Sequence, residues 1–300
     1  MTTSHICIGM PVYNCESTIA EAIASVLNQS FQDWELIVCD DGSRDATLCV
    51  ARDFSDARIR VLEGGVNRGL AACLNETIGE ASGKFFARMD GDDIAYPERL
   101  EKQVAFLEDH PQVDVVAGSA IVFRSDGQVL GVRRGPGTHD RICATPWAGF
   151  PMIHPTWMGK TEWFRRHGYR AEMVRMEDWE LLFRTCATSQ FANLPDVLLG
   201  YREDSLSLRK ILVGRERKCR VMMQEALKGR ARGQAVAGVL GQIGRSMVDL
   251  LAIGTHLDYR VLKHRARPAS IEEVEDWVEV FRQTHLRVSR RREESEMFAV

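Results

Sequence analysis

The stretch Lys84–Pro97 reads Lys-Phe-Phe-Ala-Arg-Met-Asp-Gly-Asp-Asp-Ile-Ala-Tyr-Pro. Its first half, Phe85 to Met89, is a short apolar run that predicts a buried strand. The run ends in carboxylates separated by a single glycine, at Asp90, Asp92 and Asp93. Carboxylates this close repel one another, and a hard divalent cation such as Mg²⁺ or Mn²⁺ would relieve the repulsion through oxygen ligands.

The same residues also fit an ordinary turn. Asp and Gly are common in turns, and Asp93 stands where it can cap a helix that starts near Pro97. Gly91 would leave room for a ligand close to the backbone. Taken alone, the stretch favours the turn, and the rest of the chain decides between the turn and a cation site.

The chain before this stretch alternates apolar strands with helices. The first strand candidate is Ile6 to Met10, and apolar residues at helical spacing follow from Ile19 onward. Further strands are predicted over Trp34–Cys39 and Arg58–Leu62, and a helix over Gly69–Ala81. Strands that alternate with helices in this way predict βαβ units and a mostly parallel sheet.

Carboxylates follow two of the predicted strands. Asp40 and Asp41 come directly after the second strand, as Asp90 and Asp92 follow the strand at the centre of the opening stretch. Because ligands of open α/β sheets bind outside the carboxyl ends of the strands, we expect both acidic clusters to face one crevice. The loops lack a Gly-x-Gly-x-x-Gly and a P-loop lysine, so a phosphate would be held through a cation.

The second half of the chain continues the pattern. A helix is predicted over Pro97–His110, an apolar strand over Val113–Phe123 and a closing strand over Phe191–Tyr201. Residues 133–155 are rich in Gly and Pro. Loops of this kind on a rigid scaffold often form substrate surfaces, and we expect the same here.

Glu177, Asp178 and Trp179 stand where an apolar helix is predicted to begin. Carboxylates at a helix N-terminus are stabilised by the free amides and the helix dipole, which is explanation enough for Glu177. Asp178 also suits a general base, because the apolar neighbour Trp179 raises the proton affinity of its carboxylate.

An ordered set of motifs spans residues 4–207. The motifs are Pro11-Val12-Tyr13-Asn14, Asp40-Asp41-Gly42-Ser43, Asn67-Arg68-Gly69-Leu70, Asp90-Gly91-Asp92-Asp93, His154-Pro155, Glu177-Asp178-Trp179 and Tyr201-Arg202 with Ser205 and Ser207. The set resembles the family 2 glycosyltransferases, which move a sugar from a nucleotide sugar with inversion. The resemblance implies an α/β GT-A fold, with a mostly parallel central sheet flanked by helices. It implies a catalytic domain at 1–207 and a helical C-terminal extension at 208–300.

The resemblance also implies roles for single residues. Contacts to the nucleotide sugar would come from Pro11, Tyr13, Asn14, Asp41, Arg68, Asp90 and Arg202. Asp92 of the D-x-D motif would bind the Mn²⁺ or Mg²⁺ that bridges the diphosphate. Asp178, together with Glu177, would supply the catalytic base. His154 would lie near the acceptor pocket, although a histidine before proline in a loop fits an ordinary packed residue equally well.

Composition limits the class of protein. With 300 residues, 45% of them hydrophobic and 27% charged, and a net charge of −3, the chain is typical of globular proteins and unsuited to general nucleic-acid binding. Its eight cysteines show no Cys-x-x-Cys spacing, which favours small buried thiols in a reducing compartment. Residues 1–5 lack the basic and apolar regions of an export signal, and no uninterrupted apolar run of about 18 residues occurs. We therefore expect a cytoplasmic protein without a spanning helix.

Residues 208–300 lie outside the resemblance. Helices are predicted over Leu208–Leu227, Gln234–Leu251 and Ile271–Leu286. From residue 209 to residue 267 there are 14 Lys and Arg against 4 Asp and Glu. Basic helices of this kind can lie on an anionic membrane, here the inner face of the cytoplasmic membrane. A solvated appendage, or packing on the acidic side of the catalytic domain, is the alternative.

Three functions are compatible with these residues. The leading hypothesis is an inverting, metal-dependent glycosyltransferase that uses a saccharide or lipid-linked saccharide acceptor in assembly of surface or exported polysaccharide or glycolipid. The second is a catalytically silent protein of the same fold that binds a protein partner, which the intact acidic set argues against. A nucleotidyltransferase would carry a Gly-rich, basic first loop, which this sequence lacks. The sugar, the nucleobase and the acceptor depend on the shape of the pocket.

Overall fold

The computed structural model describes residues 4–205, 207–228, 232–255, 260–261, 263 and 266–298. Within these ranges the chain folds around a nine-stranded sheet. Its strands are β1 (Ile6–Val12), β2 (Trp34–Asp40), β3 (Ile59–Glu63), β4 (Phe85–Arg88), β5 (Ile94–Ala95), β6 (Val115–Phe123), β7 (Val129–Arg133), β8 (Met158–Lys160) and β9 (Phe191–Arg202).

Helices flank the sheet and continue beyond it towards the C-terminus. They are α1 (Ile19–Leu27), α2 (Thr47–Arg52), α3 (Leu70–Glu80), α4 (Arg99–Asp109), α5 (His139–Ile142), α6 (Thr161–His167), α7 (Glu177–Thr185), α8 (Leu208–Leu227), α9 (Arg232–Gly254) and α10 (Ile271–Phe298). A short 3₁₀ turn, His154–Thr156, precedes β8.

The strand order brings the acidic loops together. The order is β3-β2-β1-β4-β8-β6-β9-β5, with β7 paired to β6. The first four strands are parallel, and β1 lies between β2 and β4. The carboxyl ends of β2 and β4 therefore meet at the same edge, on either side of β1. Beyond β4 the sheet is mixed, because β8 runs antiparallel to both β4 and β6 while β6 and β9 are parallel.

Each face of the sheet carries its own core. Ile6 and Ile8 of β1 pack with α1, α2 and α4, whereas Cys7 between them packs with α3, α6 and α7. Successive side chains of a strand point to opposite faces, so a strand covered on both sides is apolar throughout. All seven residues of β1 are accordingly buried.

The predicted α/β architecture is confirmed, with four additions. The sequence pattern did not indicate β5, β8 or α6, and residues 133–155, predicted as loop, contain α5. β5 has two residues and β8 has three, which is too short for a recognisable alternation of apolar and polar residues. The cysteines are all free, but only three are buried; four are half-buried and Cys49 is exposed.

The C-terminal helices pack on the rest of the protein in two places. Met222 of α8 and Ala235 of α9 share a cluster with Met176 and Trp179 at the start of α7. Trp277 of α10 is buried at the other end of the sheet, against β5, β6 and β7.

Helix α9 is the most apolar of the C-terminal helices. By length and composition it could cross a membrane: an 18-residue window has a mean hydropathy of 1.4, and 22% of that window is buried. Arg245 and Asp249 interrupt its apolar sequence. Asp249 is buried and pairs with Arg215 of α8 at 2.6 Å, which ties one face of α9 to the protein.

Candidate active site

A cavity of about 830 Å³ opens at the carboxyl ends of the parallel strands. It brings together side chains that the sequence places far apart: Asp41 after β2, Asp90 and Asp92 after β4, and Glu177 at the start of α7. The arrangement matches the expectation that the acidic clusters face one crevice.

Asp41 organises the loop before α3. Its Oδ1 accepts a hydrogen bond from the Arg68 amide at 2.7 Å, and its Oδ2 accepts one from the Gly69 amide at 2.8 Å. Its own amide donates to the Val12 carbonyl at 2.8 Å, which fixes the loop to the end of β1. This buried carboxylate therefore shapes the cavity wall as well as lining it.

The carboxylates of the D-x-D motif form a compact cluster. Oxygen atoms of Asp90, Asp92 and Asp93 lie within 4.8 Å of one another. Asp93 is buried; its Oδ1 accepts the Arg202 amide at 3.0 Å, while Oδ2 has no partner among the described residues. A hard divalent cation fits this set, since it needs oxygen ligands and would neutralise charges that repel one another.

The pKa values of the cluster reflect the same repulsion. Although Asp92 opens onto the cavity, the loss of bulk water around its carboxylate, followed by the charge of Asp90, raises its pKa to about 6. Burial and then the charges of Asp92 and Asp90 raise the pKa of Asp93 well above its usual range. Carboxylates with raised proton affinity are those that a cation relieves on binding.

Arg88, the last residue of β4, is a charged side chain beneath the cluster that the sequence analysis did not single out. It is 2% exposed, and its Nη2 donates to Asp90 Oδ1 at 2.5 Å. Its Nε and Nη1 have no partner among the described residues. Arg88 also lines the cavity, where it adds positive charge beside the cluster.

Glycine is needed at position 91 for close packing against β1, whereas the sequence suggested that it leaves room for a ligand. A Cβ at this position would lie 2.6 Å from Val12 Cγ1 and 3.2 Å from Cys15 Sγ. The glycine therefore lets the acidic turn sit directly on the end of β1, rather than serving only as open space for a ligand.

Two other residues predicted to contact the nucleotide sugar, Tyr13 and Arg68, differ in whether they line the cavity. Tyr13 lines the cavity and is 44% exposed, a position from which an aromatic ring can stack on a base. Arg68 turns its guanidinium to Glu76 on α3. Its neighbour Asn67 lines the cavity instead.

The stretch Pro11–Asn14, predicted as a loop, begins with the last two residues of β1 and forms the side of the cavity there. Pro11 lines the cavity. Asn14 has a φ of 50° and lies outside the lining set, where its Oδ1 accepts the Arg44 amide at 2.9 Å. Its own amide donates to Ser43 Oγ at 3.0 Å, so Asn14 joins the loops after β1 and β2.

Helix α7 presents the two candidate base residues. Glu177 is buried and lines the cavity; burial raises its pKa. Asp178 beside it is half-buried and lies outside the lining set. The Nζ of Lys218 lies over the Trp179 ring at 4.7 Å and donates to the Ala148 carbonyl at 3.2 Å. Burial lowers the pKa of Lys218 to about 8, against the opposing charge of Asp178.

His154 is packed rather than open to the cavity. Its Nε2 lies 2.8 Å from the Tyr169 hydroxyl oxygen, and its ring contacts Trp157 with centroids 4.6 Å apart. Burial, followed by the charge of Arg88, holds the pKa of His154 well below its usual value, so the ring is neutral. Its role near the acceptor stays a prediction.

Helix α8 reaches the cavity, although the sequence analysis placed it outside the catalytic domain. Lys210 and Ile211 of its first turns line the wall, with Ser205 and Ser207 just before them. Arg175 also lines the wall, has a φ of 68°, and lies against α8 at Gly214, where a Cβ would be 2.7 Å from the Arg175 carbonyl oxygen. No local sequence signal marks Lys210 or Arg175, because their positions depend on how α8 packs beside α7. The division at residue 207 stays a prediction.

Sequence comparisons identify relatives. The profile of the family described as Glycosyl transferase family 2 matches residues 7–187. The putative glycosyltransferase EpsE of Bacillus subtilis is 40% identical over 208 residues, which cover 67% of this chain and 74% of EpsE. The Escherichia coli UDP-Glc:alpha-D-GlcNAc-diphosphoundecaprenol beta-1,3-glucosyltransferase WfgD is 43% identical over 102 residues, 34% of this chain and 40% of WfgD.

Solved structures share the fold. A crystal structure of S. aureus TarS 1-349 in complex with UDP has a TM-score of 0.56 at 21% identity, covering 73% of this chain and 65% of that chain. The mannosyltransferase PcManGT from Pyrobaculum calidifontis, in complex with GDP-Man and Mn²⁺, has a TM-score of 0.55 at 19% identity, covering 95% and 88%. This chain belongs to glycosyl transferase family 2 and is a glycosyltransferase of the GT-A fold.

Proposed function

We propose that the enzyme transfers a sugar from a nucleotide-sugar donor to an acceptor hydroxyl in a single displacement that inverts the anomeric carbon. One observation carries the proposal: Asp41, Asp90, Asp92 and Glu177 line a single cavity at the edge of the sheet. A catalytically silent binding protein has no need to keep this costly set of carboxylates together.

Asp92, supported by Asp90 and Asp93, would hold Mn²⁺ or Mg²⁺. The bound ion would neutralise the charge that develops on the leaving diphosphate. Arg88 and Arg202 line the same cavity and add positive charge beside the motif. Asp41, Tyr13 and the loop they shape would hold the nucleoside, with Pro11, Asn14 and Arg68 supporting that loop.

Asp178 is our proposed catalytic base, with Glu177 beside it. An acceptor hydroxyl is a poor nucleophile until a carboxylate takes its proton. A base on the face opposite the diphosphate gives direct displacement, as water activation does in inverting glycosidases. His154, neutral and bonded to Tyr169, would support the acceptor side of the site.

We further propose that the acceptor is a lipid-linked saccharide at the inner face of the cytoplasmic membrane. The relative WfgD is named for a diphosphoundecaprenol acceptor. In this chain α9 presents one apolar stripe to solvent, with side chains 48% to 69% exposed, at Val236, Leu240, Ile243, Met247 and Leu251. Spacings of three and four residues place them on one helix face.

The basic residues at the ends of this stripe favour an anionic membrane over a second copy of the chain as its partner. Arg232 stands at its start, and Arg260 and Lys263 follow its end in the sequence. Cationic residues at both ends would repel a second copy and attract anionic lipid. Because the hairpin of α8 and α9 packs on α7, a membrane beneath α9 would lie near the proposed base.

Co-sedimentation with vesicles tests the membrane contact. We expect the protein to bind phosphatidylglycerol vesicles, and to bind less at high salt, because salt screens the basic residues. Replacing Leu240 and Met247 together by Ser should weaken binding about tenfold or more, since two apolar side chains no longer insert. Val278→Ser, at an exposed position of α10, should bind as the wild type does. Absence of binding to anionic vesicles would refute the contact.

A thermal-shift screen tests the enzymatic proposal. UDP, GDP and dTDP sugars are added with and without Mn²⁺, because a bound donor stabilises the folded enzyme by mass action. We expect one nucleotide to raise the melting temperature only with Mn²⁺ present. A screen in which every nucleotide sugar leaves the melting temperature unchanged would contradict the proposal.

A further inference from the structure

Arg202 is anchored to the D-x-D turn by its backbone and its side chain. Its amide donates to Asp93 Oδ1 at 3.0 Å, and its Nε donates to the Asp92 carbonyl at 2.7 Å. The guanidinium also lies over the Phe123 ring at 4.6 Å. These contacts hold a cation at the cavity wall, next to the place where the diphosphate of a donor would lie.

Two residues outside the cavity brace the guanidinium from behind. Arg202 Nη2 donates to Glu21 Oε2 at 2.5 Å, and Glu21 belongs to α1. The second carboxylate oxygen of Glu21 lies 3.3 Å from Nε2 of His285, on α10. The side chains of Arg202 and Glu21 are only 7% and 18% exposed, so water competes little for these contacts.

The geometry favours a charged His285. Its Nε2 faces the Glu21 carboxylate, and its Nδ1 lies 2.9 Å from the Phe281 carbonyl oxygen. Both ring nitrogens therefore face acceptors, and only the doubly protonated ring can donate to both. Glu21 then sits between two cations, His285 and Arg202.

We propose that Glu21 and His285 are positioning residues that aim Arg202 at the donor diphosphate, so that α10 completes the donor site. The inference rests on the proposed function. Without Glu21, the guanidinium would lose its rear partner and could turn away from the cavity. Without His285, Glu21 would lose the contact that fixes its second oxygen.

The titration of the pair is consistent with this arrangement. The Glu21 hydrogen bond raises the pKa of His285 above its usual value, with burial and the charge of Arg202 acting against it. Burial alone would raise the pKa of Glu21, but the His285 hydrogen bond and the Arg202 charge hold it below its usual value. The groups that face His285 are thus Glu21 from α1, Arg202 from β9 and the Phe281 carbonyl of its own helix.

Calorimetric titration of the nucleotide diphosphate with Mn²⁺ tests the inference on the full-length enzyme. Glu21→Gln should raise the Kd about tenfold, and His285→Ala about two- to fivefold, because each removes one charged hydrogen bond from the chain of contacts. Arg287→Ala is the matched control. Arg287 also ties α10 to α1, through Asn28 Oδ1 at 2.6 Å, but it does not reach Arg202.

The control variant and the pH dependence distinguish an effect on the orientation of Arg202 from an effect on the packing of α10 against α1. Arg287→Ala and His285→Ala should both lower the melting temperature at pH values where His285 is charged, while only His285→Ala changes the Kd. In the wild type the Kd should rise as pH increases through the pKa of His285, and this dependence should disappear in His285→Ala. Unchanged Kd in Glu21→Gln, or an equal rise in Arg287→Ala, overturns the inference. If the wild type binds no nucleotide, the proposed function itself fails.

Discussion

Asp90, Asp92 and Asp93 place their carboxylate oxygens within 4.8 Å of one another, with Arg88 as the buried cation beneath them. The pKa values of Asp92 and Asp93 stay raised even with Arg88 and Arg202 nearby, so a divalent ion would relieve the repulsion that remains in the cluster. Asp92 is the most exposed of the three and lines the cavity. Its removal should therefore weaken metal binding most.

Asp92→Ala should abolish Mn²⁺-dependent binding of the nucleotide while the protein stays folded. Calorimetric titrations with and without Mn²⁺ measure the effect. Asp196→Ala removes a half-buried carboxylate outside the cavity that pairs with Lys102 at 2.8 Å, and it should leave the titration unchanged. An Asp92→Ala enzyme that responds to Mn²⁺ as the wild type does would exclude Asp92 as a metal ligand.

Asp178→Asn should reduce turnover by about 10²–10⁴, which is the usual contribution of a general base. Nucleotide affinity should change little, because the base acts on the acceptor. Since Glu177 lines the cavity and Asp178 lies beside it, Glu177→Gln is the informative comparison. Initial rates and nucleotide Kd values for both variants decide the assignment; near-normal turnover in Asp178→Asn together with a collapse in Glu177→Gln would give the role to Glu177.

Among the single residues of the site, those whose role depends on residues next to them in the sequence could be predicted. Asp90 and Asp92 were foreseen because they follow an apolar run directly. Arg88 was not, because a single charge inside a buried strand acquires its meaning only from the carboxylates folded over it. The bonds from Asp41 to the amides after β3 depend on a sequence separation of 27 and 28 residues, which no local pattern encodes.

Among the elements, α10 is part of the folded unit that carries the cavity. Trp277 is 1% exposed and lies 4.4 Å from Phe123, between ring centroids. A Cβ on Gly200 would lie 2.2 Å from the Trp277 ring, so the absent side chain of this glycine makes the space that the indole fills. The helix is thus fitted to β6 and β9 rather than loosely attached.

Trp277→Ala should lower the free energy of unfolding by about 3–5 kcal/mol, as expected for removing a buried aromatic side chain. Denaturant titration followed by fluorescence or circular dichroism measures the loss. Val278→Ala, at a neighbouring position that is 57% exposed, should stay within about 0.5 kcal/mol of the wild type. Equal stability of Trp277→Ala and the wild type would show that α10 is an independent appendage.

The contact of α10 with α1 should depend on pH. The raised pKa of His285 makes its contribution complete below the unfolded value of 6.5 and removes it as pH rises through the folded pKa. The lowered pKa of Glu21 makes its contribution complete above 4.5 and removes it as pH falls through the folded pKa. The two therefore act together between about pH 4.5 and 6.5.

The melting temperature of the wild type should exceed that of His285→Ala most within this window, and the difference should fade as pH rises through the raised pKa of His285. Scanning calorimetry over the pH range measures the difference. Arg287→Ala should differ from the wild type by a nearly constant amount. A constant difference for His285→Ala as well would show that the Glu21 contact is not ionic.

The elements themselves follow the sequence where they are long and apolar. β1, β2 and β6 were predicted because buried strands of a doubly covered sheet are apolar runs. β5 and β8 were not predicted, because their few residues form strands through pairing with β9 and with β4 and show no sequence pattern of their own. The position of α8 at the cavity wall was not predicted either, because it depends on the packing of α8 against α7.

For the whole molecule, two surfaces are linked through α7 and α8. The inner surface is the cavity with its acidic cluster, and the outer surface is the apolar stripe of α9 with basic residues at its ends. The overall charge of −3 conceals this division, because the basic residues gather in the C-terminal third. The arrangement is consistent with the proposed use of a nucleotide-sugar donor and a membrane-bound acceptor.

The configuration of the first sugar released from the donor tests the single displacement most directly. The wild-type enzyme is incubated with Mn²⁺ and an α-linked nucleotide sugar that it binds, with water as the only acceptor, and ¹H NMR follows the anomers before they equilibrate. Because the carboxylates of α7 are proposed to act from the face opposite the diphosphate, we expect the β-anomer to appear first. Initial release of the α-anomer would contradict direct displacement.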